Sequence, residues 1–200
     1  YDDANDQLTI SADLGEITTD LNERVDDRVD SLLTAGSNVS SIDFVSGITS
    51  TYSTYVFVIS NAGRSGGGSK MGIRISNDGG SSYKSDNLYY GAVFGRDSDN
   101  STSELSKNGI SSIELSRNDF ENDIGAIIYM NDPASTTRPT SFWGLSTTNN
   151  SNANVFLHHM VGGSYDDAST KLVNGVRFYN HTGNNFGATG RITLYGISHA

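Results

Sequence analysis

His158-His159 is the first place to look for chemistry in this 200-residue chain, because neutral imidazoles ligate metals and carry protons. On a strand, adjacent side chains point to opposite faces, so the two rings cannot close on one ion. No second ligand at metal spacing accompanies them, and only a histidine gathered from three chains around a threefold axis would make a metal site. His181 and His199 fall in a turn and near the terminus, where a solvated side chain is expected. Asp97-Ser98-Asp99-Asn100-Ser101, followed by Glu104, begins like a calcium loop. It lacks the glycine at the sixth position and brings its acid at the eighth rather than the twelfth, which predicts a solvated acidic loop. Glycoside hydrolysis needs two carboxylates about 5–10 Å apart in a cleft. Glu104, Glu114, Asp119, Glu121 and Asp123 are close in the chain, but all except Glu114 fall in expected loops, and no aromatic residues bracket them as a sugar platform. Gly66-Gly67-Gly68-Ser69-Lys70 precedes a strand, whereas a phosphate loop opens a helix, and no nucleophile elbow occurs. The absence of Cys removes disulfides, thiolate zinc sites and thiol catalysis. These readings predict a protein that is not an enzyme and carries no cofactor or metal.

Aromatic residues are the positive feature. Ten Tyr and the single Trp143 supply the amphipathic area that adhesive surfaces use, and Tyr83, Tyr89, Tyr90 and Tyr165 fall at expected strand ends or in loops. Gly162-Gly163-Ser164-Tyr165-Asp166-Asp167 combines a flexible backbone, an aromatic face and acidic acceptors, so Tyr165, Asp166 and Asp167 are the candidate contact residues for sugar hydroxyls or a basic protein patch. The plain alternative is a hairpin turn.

The elements that must position these groups are mostly strands. Gly is 22 of 200 and Pro only 2, a composition of strands joined by tight polar turns. Ile42 and Phe44 share a face; Tyr55, Phe57 and Ile59 oppose Val56 and Val58; Met71, Ile73 and Ile75 follow the glycine-rich link. Asn77-Asp78-Gly79-Gly80 predicts a tight hairpin. Arg96 to Gly109 reads as a polar excursion, with Asn131 to Thr140, Thr147 to Asn154 and Gly162 to Thr170 as further loops. Ile124 to Met130 is a continuous apolar run that predicts a central strand buried on both faces. About ten such strands predict two packed antiparallel sheets, a β-sandwich of jelly-roll type over residues 37–200.

One stretch departs from this pattern. Leu14, Ile17, Leu21, Val25, Val29 and Leu32 recur at the helical period, with Asp13 as a cap and Gly36 at the C-terminal end. This predicts an amphipathic helix in a neck over residues 1–36, too short to be stable alone, which either packs on the following domain or joins copies of itself. A formal charge of −10 argues against binding to nucleic acid or anionic membrane. No run approaches the length of a membrane span and no secretion signal pattern is present. A chain that begins with Tyr1 reads as a fragment of a longer protein or a processed product.

Tyr1-Asp2-Asp3-Ala4, then Leu8-Thr9-Ile10, followed by Leu21 to Gly36 with its Ala35-Gly36 ending, resembles the shaft repeats of tailed-bacteriophage tail fibres. Val173-Asn174-Gly175-Val176-Arg177-Phe178-Tyr179, and then Gly190-Arg191-Ile192-Thr193-Leu194-Tyr195-Gly196-Ile197, is similar to the closing strands of phage structural β-domains. Ser50 to Phe57 and Ile75 to Gly80 fit the early strands of that family. The resemblance implies a homotrimeric virion protein at the distal end of a tail fibre, made in the host cytoplasm and joined to the rest of the fibre. Its tip would bind a host cell-surface receptor, whether glycan, lipopolysaccharide or outer-membrane protein. A head fibre or capsid-decoration module is the alternative, and a depolymerase tailspike a more distant one.

Overall fold

Period-2 alternation organises most of the chain. The computed structural model describes residues 28–31, 39–63, 65, 70–87, 89–96, 102–116, 123–150, 155–167, 171–187 and 190–197. The strands are β1 (Arg28–Ser31), β2 (Ser41–Phe44), β3 (Thr54–Gly63), β4 (Met71–Ser76), β5 (Tyr89–Arg96), β6 (Thr102–Ile110), β7 (Ile113–Glu114), β8 (Asp123–Asn131), β9 (Thr140–Asn150), β10 (Val155–Tyr165), β11 (Gly175–Asn180) and β12 (Arg191–Ile197). All pairings among them are antiparallel. The larger sheet runs β1-β12-β3-β8-β9-β10-β5-β6 and the smaller β2-β11-β4-β7.

The two sheets share one core. Phe44 of β2 and Phe178 of β11 meet Phe57 of β3 edge to face, at centroid distances of 5.2 and 5.1 Å. Burying each such side chain stabilises the fold by about 1.5–3 kcal/mol. The alternations Ile42/Phe44, Tyr55/Phe57/Ile59 and Met71/Ile73/Ile75 all point into this core. Tyr55 is buried through its hydroxyl as well as its ring, accepting from the Thr49 amide at 2.9 Å and donating to the Thr49 carbonyl at 3.0 Å.

Several sequence expectations are corrected. The helix expected over Asp13–Gly36 does not extend through Arg28–Ser31, which pairs with β12 as an edge strand, Val29 opposite Leu194. Arg-Val-Asp-Ser alternates as well as it fits a helix, and an open sheet edge offers backbone partners that an isolated helix lacks. Leu14, Ile17, Leu21, Val25 and Leu32 lie outside the described residues. The apolar run of β8 is not buried on both faces: Ile124, Ala126, Ile128 and Met130 face the core, while Ile127 is 48% exposed. The excursion after Arg96 is largely β6, which pairs with β5, and β9 continues as strand through Asn150. Asn77–Gly80 forms a turn with Gly79 and Gly80 at positive φ, yet it does not close a hairpin, because β4 and β5 belong to different sheets.

Candidate functional site

The Tyr165 loop is not a loop. Gly162, Gly163 and Ser164 are strand residues of β10, paired with β9 and β5. Gly163 is glycine because a Cβ would meet the Tyr90 carbonyl oxygen at 2.7 Å and the Ile113 side chain at 2.9 Å, a packing demand rather than flexibility. Strand parity then turns Tyr165 inward with Val161, and it is 2% exposed. Its ring lies 4.8 Å from that of Tyr89, and its hydroxyl sits 3.0 Å from Asp86 Oδ2 and 3.3 Å from Asp167 Oδ2. One hydroxyl proton serves one carboxylate at a time. Burial, and then the Asp86 carboxylate, push the phenol well above its ordinary range. Asp166 pairs with Lys171. Tyr165 and Asp167 therefore come together, with Asp166 turned to Lys171, but as a pin closing the end of β10, with no face of the Tyr165 ring free for a ligand.

The other tyrosines divide in the same way. Tyr89 is buried, receiving the Ile75 amide at 2.9 Å and donating to the Lys84 carbonyl at 3.1 Å. Tyr83 lies under the Arg177 guanidinium at 3.8 Å, and burial followed by the Asp43 charge pushes its hydroxyl up to about 12. Tyr90 alone of the four singled out presents a half-exposed ring. His158 and His159 do face opposite sides, the first exposed and the second buried. No group of His, Asp and Glu fit to hold a metal occurs among the described residues. Asp97–Ser101 lies outside them.

One nucleophile-and-base geometry was invisible in the sequence. Ser112 Oγ lies 3.0 Å from His181 Nε2, across 69 residues of chain. Ser112 is 1% exposed, so a substrate cannot reach its hydroxyl, and His181 stacks on Tyr179 at 5.0 Å. The pair works as a strut between the sheet-end turns.

Two larger features remain. The first is the outer face of the larger sheet. Register aligns Val58, Ile127, Leu145, Met160 and Phe94 in one row across β3, β8, β9, β10 and β5. A second row carries Tyr195, Val56, Tyr129 and Trp143, with the last two stacked in parallel at 4.2 Å. Leu145 and Met160 are each 62% exposed and Trp143 52%. The second feature is the polarity of the sheet. Arg28 pairs with Tyr195 near the end that holds Thr54, Asn131, Ser141 and Ser164. A cleft of about 380 Å³ between Tyr52, Pro133 and Arg138 lies at that same end. Arg96, Thr102, Asn150 and Val155 flank the connections at the opposite end. At about 3.3 Å per residue, the eleven residues of β9 separate the two ends by roughly 35 Å.

No protein-family model, curated protein or solved structure matches this chain. Among the described residues no helix is long and apolar enough to cross a membrane.

Proposed function

We propose that the chain is the distal, receptor-binding end of a bacteriophage tail fibre: a non-enzymatic virion protein in which a trimeric neck feeds a jelly-roll-type sandwich that touches the host surface. The observation that carries this reading is the register of β1. It sets Arg28 in the row of Trp143, seven residues or roughly 23 Å from the end where Arg96, Thr102, Asn150 and Val155 flank the β5–β6 and β9–β10 connections. Those connections read Asp97-Ser98-Asp99-Asn100-Ser101 and Ser151-Asn152-Ala153-Asn154, short side chains suited to hydrogen-bonding a polar surface. Several weak contacts of this kind on copies of one fibre multiply adhesion without a deep pocket. A capsid or head fibre is the second reading, favoured by the same architecture if the far end meets no cell.

The test uses labelled, assembled chain on cells that the parent virion infects. Saturable binding that competes with virion adsorption is expected. A hydrophilic insertion within 151–154 should abolish it, while one within 134–137, at the near end, should not. Absence of binding by the intact assembly contradicts the reading in favour of a head fibre, and release of reducing sugars from capsular material contradicts its non-enzymatic part.

A further inference from the structure

Strands exposed to water on one face ordinarily carry polar residues there. On the outer face of the larger sheet polar positions such as Thr147 and His158 flank two rows that are apolar instead. Its outward positions from β3 to β5, between the strand ends, include Ile127, Leu145, Met160, Phe94, Trp143 and Tyr129, and none holds Asp, Glu, Lys or Arg, although 18% of the chain is charged. Taking 150–250 Å² for an aromatic side chain and somewhat less for an aliphatic one, the exposed fractions of Ile127, Leu145, Met160, Phe94, Trp143 and Tyr195 leave on the order of 600 Å² of apolar surface. That is the top of the range for a monomer's largest patch, and about three quarters of one side of a standard interface, roughly 800 Å².

Glycine supplies a second, independent observation. Gly162 and Gly125 sit on this face inside β10 and β8, without positive φ. A Cβ at Gly162 would meet only the Phe142 carbonyl oxygen at 4.0 Å, and one at Gly125 only the Ile59 carbonyl oxygen at 3.8 Å. Gly125 lies opposite the bulge of β3 between Ile59 and Ala62, which accounts for it locally; Gly162 has no such local demand, and a glycine of that kind inside a strand fits the close approach of another backbone.

We infer that copies of this chain associate through the outer face of the larger sheet, burying Ile127, Leu145, Met160, Phe94 and Trp143 against one another. Area selects the occupant. Each copy carries −10, which drives copies apart, so association rests on apolar burial: two such faces bury on the order of 1,200 Å² together, the low end of a specific interface. The inference takes from the proposed function only that copies assemble, and it stands or falls apart from host binding.

Methionine oxidation and tryptophan quenching read this face directly. The chain has three Met, of which Met71 and Met130 are fully buried and Met160 is not, and its one Trp is Trp143. The full chain is treated with hydrogen peroxide across a dilution series, with Trp143 quenching by acrylamide and mass by sedimentation followed in parallel. Met160 should oxidise as slowly as Met71 and Met130 in the assembled protein, and at least tenfold faster once dilution gives single chains, with Trp143 becoming quenchable over the same range. Leu145→Arg, whose side chain starts exposed, should shift that range to higher concentration while the circular dichroism of the single chain stays unchanged. Rapid oxidation of Met160 in a protein that sediments as an assembly overturns the inference, because the copies then meet elsewhere. Protection of Met160 at the mass of one chain overturns it too, because the face is then covered by the chain's own N-terminal segment. Monomer at every concentration with Met160 exposed overturns it likewise.

Discussion

The two faces of the larger sheet are built by the same strands and end in opposite conditions. On the inner face Phe57, Ile124, Ile128 and Phe142 are covered by the smaller sheet and are at most 2% exposed. On the outer face, one residue away along the same strands, Ile127, Trp143 and Leu145 are as apolar and half exposed or more. Composition does not separate the faces; only the presence of a second layer does. The apolar run Ile124 to Met130 thus has the residues of a strand buried twice, but among the described residues only one of its faces is covered.

Substitutions on either face sharpen or break that contrast. The largest effect belongs to the inner face. Phe57→Ala removes the ring that meets both Phe44 and Phe178, and should cost about 3–5 kcal/mol, read from the urea midpoint. A loss below about 1 kcal/mol would mean that the sheets do not close on this ring. Tyr165→Phe comes next. It keeps the core ring and removes the hydroxyl held by Asp86 and Asp167, for an expected loss of about 1–2 kcal/mol with assembly unaltered. Reduced host adsorption by a normally folded Tyr165→Phe protein would return this residue to the contact surface. On the outer face, Leu145→Ser should change the unfolding free energy of the single chain by no more than about 0.5 kcal/mol. A core-sized loss there would show that the outer face is already covered within one chain.

The smallest effect is electrostatic and lies off both faces. Hydrogen bonds from the Ser76 and Ser82 hydroxyls and the Ser82 amide hold Asp78 down from an ordinary 3.8 to about 2. A carboxylate with a depressed folded-state pKa stabilises the fold above its unfolded value and loses that contribution as pH falls through the folded value. Asp78→Asn should therefore lower the thermal midpoint slightly at pH 7 and match the unmodified chain near pH 2. An equal gap at both pH values would show that the turn does not depend on the charge.

Local alternation carried most of this fold in the sequence. Ile42/Phe44, Tyr55/Phe57/Ile59 and Met71/Ile73/Ile75 needed only period-2 reading, and Asn77–Gly80 announced its turn by residue type. Pairing was another matter. β1 joins β12 from the opposite end of the chain, and nothing in Arg28–Ser31 names that partner. The burial of Tyr165 is hidden in the sequence because Gly162-Gly163 looks flexible, whereas Gly163 answers to Ile113 and Tyr90 on other strands. The hydroxyl partner of Tyr165, Asp86, lies 79 residues away, and the Ser112–His181 contact spans 69. The outer row likewise exists only through register: Phe94, Ile127, Leu145 and Met160 are scattered in sequence and become neighbours when four strands align.

Sedimentation equilibrium of the full chain, with Leu145→Arg beside it, tests most directly whether this is a module that works as copies joined through one sheet face. Three times the 21.4 kDa chain mass is expected at micromolar concentration, with a measurable shift toward the single-chain mass in the variant. A chain that stays at 21.4 kDa, or a Leu145→Arg protein that assembles as tightly as the unmodified one, contradicts it.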